Sequence, residues 1–448
     1  MNQVFLTVDL GFGDAGKGSI VDYLVRSHAA HTVVRYNGGA QAGHRVVAVG
    51  EDGTLHDHVF AQFGSGTLAG AATHLSRFML LDPLAMLQEE THLHTLGIAD
   101  AFARTTIDQD ALVITPFQRA INRLRELARG DGRHGSCGMG IGETVADALR
   151  HSCNVVRAGD LLDRQVLHKK LAFLRQINRE KVEPLRGALP DNAAVAAELD
   201  LLCAADWHDW LLDAYADFAA VAQIVPGEHL HKILQRPGTV VFEGAQGVLL
   251  DEWRGFHPHT TWSTTTLANA AQLLNEAAYS GQVTRIGITR AYATRHGAGP
   301  LVTEDADWTA ALPDACNGNG AWQQGFRVGP LDFVTLRYAV DAVGTLDALA
   351  VTCLDRLPAA RPIPICRAYR DASGHHVARL TPSPLPRDLS YQAKLTQRLF
   401  ACRPILNEVA DHDELLFCIE ETLGIRVGIG SYGPVASAKV LRIHLPLF

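Results

Sequence analysis

Three residues stand out for the chemistry their types and spacing could do: Asp14, Lys17 and His44. The first two lie in Gly11-Phe12-Gly13-Asp14-Ala15-Gly16-Lys17-Gly18-Ser19, where Gly11, four further residues and Gly16-Lys17 have the spacing of a phosphate loop. Backbone N–H groups in such a loop, backed by a helix N-terminus, form an anion cradle, and the lysine adds a charge for the outer phosphates. Gly18 stands where these loops usually carry the Ser or Thr that holds Mg²⁺. Asp14 could take over the metal, and a carboxylate among phosphates could equally be a base. A glycine-rich surface turn would show the same spacing. His44 closes Asn37-Gly38-Gly39-Ala40-Gln41-Ala42-Gly43-His44, a glycine-rich segment after an apolar run. Chemistry in α/β sheets sits at such strand ends. A histidine on an exposed turn would look the same in sequence.

These residues need strands and helices to hold them. Residues 4–10 form an apolar, β-branched run that predicts a buried strand, and 20–26 follow a helical pattern. Further strands are expected at 32–36, 111–115, 239–243, 284–289, 346–352 and 426–429, with a hairpin over 46–60. Helices are expected from Pro83 to about Leu96, after Pro116, and over 333–340. Residues 130–142 contain six glycines around Arg133, His134, Ser136 and Cys137, which suits a loop facing phosphate or a flexible spacer. Residues 161–225 read as a mainly helical insertion, and 314–332 as loop. The strand at 239–243 ends in Gly244-Ala245-Gln246-Gly247, whose amide suits a ligand with mixed donors and acceptors, such as a purine edge. Strands alternating with helices over the whole length predict one α/β domain, 1–448, with a large, mostly parallel central sheet covered by helices.

Composition narrows the class. The 448 residues are 47% hydrophobic and 20% charged, ordinary for a globular enzyme. A net charge of −8 argues against a nucleic-acid-coating surface. Eight cysteines without a C-x-x-C pair argue against a zinc site or disulfide framework. No apolar run reaches the roughly 18 residues of a membrane helix, and the first residues lead straight into a strand, so no signal peptide and a cytoplasmic location are expected.

The motifs resemble those of the adenylosuccinate synthetase family across nearly the whole chain. Gly13-Asp14-Ala15-Gly16-Lys17-Gly18 is similar to the family's Gly-Asp-Glu-Gly-Lys-Gly, and Arg35 to His44 to its Arg-x-x-Gly-Gly-x-Asn-Ala-Gly-His. Phe242-Glu243-Gly244-Ala245-Gln246-Gly247 with Leu249-Leu250-Asp251 nearly repeats a family motif. Leu331-Asp332 with Leu336-Arg337-Tyr338-Ala339-Val340, then Leu354-Asp355, and Ser431-x-Gly433-Pro434 follow in the family's order. The resemblance implies a Mg²⁺- and GTP-dependent ligation on IMP in a homodimer. Asp14 would take the proton from N1 and bind Mg²⁺ with the Gly43 carbonyl, while His44 and Lys17 would serve the transferring phosphoryl. GTP would meet Gly13, Gly16, Lys17, Gly18 and Arg327, and its base Asp355, Ser431 and Gly433. The purine nucleotide would meet Asp14, Gln41, Ser136, Cys137, Gln246 and Thr261. An N-capping aspartate and a turn serine are the plain structural roles open to Asp355 and Ser431.

The departures cluster where the amine should bind. The family's Thr-Thr-Gly-Arg-Arg-Arg-Arg-Thr-Gly-Trp, which holds the carboxylates of L-aspartate, corresponds to Trp322-Gln323-Gln324-Gly325-Phe326-Arg327-Val328-Gly329-Pro330, with only Arg327 retained. Loss of bidentate arginines removes both charge and orientation from a carboxylate site. Trp322, Gln323 and Gly325 would then form the amine-substrate loop, for a more apolar amine. Ala15, Gln41, Ser136, Cys137 and Cys353 also differ from the family pattern, and His151, beside Arg150, takes the place of its dimer-crossing arginine. The expected activity is ligation of a purine nucleotide to an amine, L-aspartate included. The alternatives are a paralogue that uses a different amine, and a nucleotide sensor without ligation.

Overall fold

A computed structural model describes residues 2–442 apart from 51–52, 134, 205, 315–316, 318–321, 323–324 and 358–361. Its frame is a ten-stranded sheet. In chain order the strands are β1 (Asn2–Asp9), β2 (Thr32–Arg35), β3 (Ala72–Leu75), β4 (Thr105–Asp108), β5 (Gln223–Val225), β6 (Gly238–Glu243), β7 (Gln282–Arg290), β8 (Ala348–Thr352), β9 (Val427–Ser431) and β10 (Lys439–Leu441). They lie in the order β10-β9-β8-β7-β1-β6-β2-β3-β4-β5. Neighbours run parallel except the edge pair β9–β10.

Alternation along β1 explains why it sits in the middle. Val4, Leu6 and Val8 join one core with Phe242, Leu273 and Val351, whereas Phe5 points to the opposite face among Ile20, Val21 and Leu24 of α1 (Lys17–Ser27). Both faces are covered, as a parallel sheet requires. A third core lies among α2 (Pro83–Thr95), α3 (Pro116–Arg129), α5 (Arg164–Glu180), α6 (Ala193–Cys203) and α7 (Trp207–Val221). Within residues 161–225 the chain forms α5, α6 and α7. Lys181, just beyond α5, bonds Glu143 at 3.0 Å and Asp147 at 2.6 Å on α4 (Ile141–Arg150).

Two segments differ from the sequence reading. The run at 111–115 gives only Leu112–Val113, paired with Leu80–Leu81 outside the large sheet, because Pro116 starts α3 at once. The span at 314–332 is not loop throughout: Phe326–Gly329 pairs antiparallel with Ala293–His296. Thr115 and Gln118 close a capping box at the start of α3.

Candidate active site

Parallel order brings the carboxyl ends of β1, β2, β6, β7, β8 and β9 to one edge of the sheet. The glycine loop runs from β1 into α1, with Gly16 in the left-handed region at the helix N-cap. Thr352, at the end of β8, donates its hydroxyl to the Ala15 carbonyl at 2.8 Å and ties the loop to its neighbours. From the other side the turn after β6 packs directly on it. A Cβ on Gly247 would lie 2.1 Å from the Gly11 oxygen, so only glycine permits this approach.

The half-buried Asp14 carboxylate has no hydrogen-bond partner among the described residues. Burial pushes it above the usual carboxylate range, and Arg290 and then Lys17 pull it back. Arg290 also donates to the Asp14 backbone carbonyl and to Asp314, the latter at 3.0 Å. Lys17 is buried and bonds Asp9 at 2.8 Å and the Gly13 carbonyl at 2.6 Å. Gly13 borders Gln246, and Gly18, in the first turn of α1, is buried against His44.

His44 starts the hairpin formed by His44–Val49 and Leu55–Phe60, directly after Gly43. Its Nδ1 lies 2.6 Å from Glu243 Oε1 at the end of β6. Glu243 also accepts from the Ser65 amide at 3.0 Å and from the Ser65 hydroxyl. Burial works to raise the Glu243 carboxyl, but Arg35 and His44 hold it down at about 2. For His44 burial dominates, and drives the imidazole to about 4 despite Glu243. A neutral ring therefore donates Nδ1–H to an ionised carboxylate and keeps Nε2 for another group. Lys17 lies within electrostatic reach of both Asp14 and His44.

Two amides complete this centre. Gln41 and Gln246 lie beside the adjacent glycines Gly39 and Gly38. Both amide atoms of Gln41 and the carbonyl oxygen of Gln246 are buried without a partner. The left-handed backbone of Gln246, φ 56°, turns the residue into the site. The Thr261 amide donates to the Leu250 carbonyl at 2.8 Å, at the end of the short helix that follows this turn.

Residues 135–140 fold against α3. The Ser136 hydroxyl bonds Asn122 at 3.0 Å, and burial raises the Cys137 thiol. Trp322 stacks on this loop: a Cβ on Gly138 would lie 2.9 Å from its ring, and the Arg123 guanidinium stands 5.3 Å from the ring centre. Gly325 leads into Phe326–Gly329, whereas Gln323 and His134 lie outside the described residues. Arg327 bonds within the chain, to Glu304 at 2.6 Å through one terminal nitrogen and to the Gly297 and Gly299 carbonyls at 2.6 and 2.9 Å through the other.

A separate cluster follows β8 and β9. Cys353, left-handed at φ 59°, turns the chain into the short helix bearing Asp355. Ser431 donates to the Gly433 carbonyl at 3.2 Å. Lys439 is buried beside them and donates to the carbonyls of Gly433, Pro434 and Val435 at 2.9, 2.9 and 3.1 Å. Burial brings its ammonium down to about 8. Sequence reasoning did not single out Lys439, Glu243, Arg290 or Asp9. The signal for Asp9 and Arg290 is a charged residue at a strand end, and for Glu243 that position together with its place in the Phe242–Gly247 motif.

The sheet order and the glycine loop at the carboxyl end of its central strand are those of a doubly covered α/β protein with a phosphate-type loop at the sheet edge. The family model described as adenylosuccinate synthetase matches residues 7–438, and the chain belongs to that family, whose members form C–N bonds. The chain is 31% identical to the adenylosuccinate synthetase of Proteus mirabilis, with 99% of each chain covered. It is 34% identical to that of Chlorobium chlorochromatii, over 80% of this chain and 78% of the other. The fold matches fully ligated adenylosuccinate synthetase from Plasmodium falciparum with a TM-score of 0.74 at 20% identity, covering 98% and 100% of the two chains. It also matches the succinoaminodeoxyadenylate synthetase of cyanophage S-2L, bound to dGMP and dATP, with a TM-score of 0.59 at 17% identity, covering 98% and 95%. No helix among the described residues is long and apolar enough to cross a membrane.

Proposed function

We propose that the chain is a GTP- and Mg²⁺-dependent ligase that phosphorylates the 6-oxygen of IMP or a related purine nucleotide and then displaces phosphate with an amine. The observation that carries this reading is a pair of buried amides, Gln41 with both amide atoms and Gln246 with its carbonyl oxygen unpartnered among the described residues, beside the glycine loop that bears Asp14. A buried amide atom without a partner costs about 1–3 kcal/mol. A purine edge supplies the missing donors and acceptors and brings its N1–H to Asp14. The raised pKa of Asp14 makes it a stronger base than an ordinary carboxylate.

Asp14 takes the N1 proton, the electron pair moves to the 6-oxygen, and that oxygen attacks the γ-phosphorus as the bond to the GDP oxygen breaks. His44, aligned by Glu243, presents Nε2 to the transferring group, whose negative charge favours the protonated, donating ring. The amine then attacks C6 and phosphate leaves with the C–O pair. The Asp14 carboxylate and the Gly43 carbonyl are oxygen donors of the kind a hard cation takes, and Mg²⁺ held by them would neutralise phosphate charge. Asp355 facing two ring donors, with Ser431 and Gly433 lining the base, selects guanine.

The span 322–330 keeps one arginine, Arg327, and the loss of the others from the carboxylate clamp supports an amine other than L-aspartate. The phage relative's dGMP and dATP put deoxynucleotides and an adenine energy donor within the range to be tried. Leu149, 75% exposed beside Arg150 and His151, suits a homodimer contact on α4. A cytoplasmic location fits the reading.

The test is phosphate release from GTP or dATP in the presence of IMP or dGMP, Mg²⁺ and a panel of amines, with products identified by mass. Asp14→Asn should abolish release and leave GTP affinity within a few-fold. Undiminished turnover would remove Asp14 from the mechanism. Binding without release in every combination would favour the sensor. Efficient formation of adenylosuccinate from L-aspartate would overturn the rebuilt amine site.

A further inference from the structure

The phosphate loop is already filled by an anion of its own. Asp9, the last residue of β1, is 1% exposed. Its Oδ1 accepts from the amides of Gly11 at 2.8 Å and Gly13 at 3.4 Å, and its Oδ2 from the amide of Ala15 at 2.9 Å and from Lys17 Nζ at 2.8 Å. Three loop N–H groups and the lysine, the donors that make such a loop an anion cradle, thus converge on a carboxylate of the chain itself. Lys17 is 2% exposed and its second bond goes to the Gly13 carbonyl, so both contacts hold its charge inward.

We propose that Asp9 is a positioning residue that sets the phosphate affinity of the loop: it cancels the charge of Lys17 and occupies the donors a phosphate would take. A phosphate chain reaching the loop must displace this carboxylate from the amides or bind outside them, and in either case it meets a neutral Asp9–Lys17 pair in place of a free cation. This deepens the reading of the loop as a nucleotide phosphate site, and rests on it. A structural strut alone would brace the loop without changing the charge a phosphate meets.

Inorganic tripolyphosphate in the presence of a chelator is the probe, because its binding depends neither on base recognition nor on ligation. Calorimetric titration of the full chain should show weak binding to the parent. Asp9→Asn keeps an acceptor for Gly11 but turns an NH₂ group toward Ala15 and Lys17, and should tighten binding by about tenfold as one unit of negative charge is removed nearby. An unchanged or weaker affinity in a variant with a cooperative thermal transition overturns the proposal. The double variant Asp9→Asn/Lys17→Gln replaces the pair by two neutral amides and serves even where the single variant does not fold. It should bind within about threefold of the parent, whereas a loss of about tenfold would show that Lys17 contributes a free charge and would overturn the proposal. Failure of the nucleotide-ligase reading appears separately, as no phosphate release in the amine and purine panel while the tripolyphosphate affinities still follow the expected order.

Discussion

Gly18 stands with its backbone against His44: a Cβ built on it would lie 2.8 Å from the His44 carbonyl carbon and 2.9 Å from the Arg45 carbonyl oxygen. The position that carries a metal-binding hydroxyl in other phosphate loops has no room for one, because the hairpin bearing His44 occupies that space. Gly18→Ser should therefore destabilise the protein by about 1–3 kcal/mol, the usual range for overpacking a tight site. It should also lower turnover by displacing His44. Thermal unfolding and steady-state rates check this, and an unchanged melting temperature would contradict it.

Glu243 reaches His44 across 199 positions of sequence and fixes which nitrogen carries the proton. Glu243→Gln keeps the shape but removes the charge that holds the Nδ1–H tautomer. Turnover should fall by about 10²-fold or more, the scale of a lost general acid–base contribution, with much less change in the Michaelis constant for either nucleotide. Equal losses in binding and turnover would assign Glu243 a packing role only.

Acid should weaken the fold through its buried neutral histidines. Burial holds His44 at about 4 and His74 at about 3, both below the ordinary value of 6.5. The unfolded chain binds the extra protons first, so stability rises with pH across this window and is lost as pH falls from 6.5 toward 4. Each histidine contributes a slope of up to about 1.4 kcal/mol per pH unit where the two states differ by a full proton. Asp332, raised to about 6 by burial, gives the opposite slope between 3.8 and 6 and partly offsets them. Urea melts between pH 7 and 4 should steepen for Asp332→Asn and flatten for His74→Gln.

Arg290 is the strongest of the charges that lower the Asp14 carboxyl. Arg290→Met removes it, so the Asp14 pKa rises and the acid limb of kcat/KM should move to higher pH. A limb that stays in place would show that another group sets it.

Lys439 braces the turn that carries Gly433 through three carbonyl bonds. Lys439→Met should raise KM for GTP several-fold with kcat nearly unchanged. An effect on kcat alone would place this turn elsewhere in the cycle.

Much of this was legible in the chain. The glycine spacing and the apolar run before it fix β1, the loop and α1, and Pro116 after Thr115 marks the start of α3. The strands Ala72–Leu75, Thr105–Asp108 and Gln223–Val225 escape such a reading because three or four residues carry too little alternation. Asp9 escapes for another reason. A carboxylate at the end of a strand has many ordinary roles, and only the folded loop aims three amides at it. Arg327 shows the converse: its sequence context suggests a ligand contact, while its partners at Gly297 and Gly299 emerge only from the pairing of Phe326–Gly329 with Ala293–His296.

The central place of β1 also orders events during synthesis. Of the ten strands it is made first, yet it lies between β6 and β7, and the hydroxyl of Thr7 meets its acceptor on Phe242 across 235 positions. Until those later strands emerge, the apolar run Val4-Phe5-Leu6 has both strand edges bare, the condition in which chains pair wrongly with one another. The loop at its end can take its final form only after more than half the chain has been made, so nucleotide phosphates have no completed site to hold on the growing chain before then.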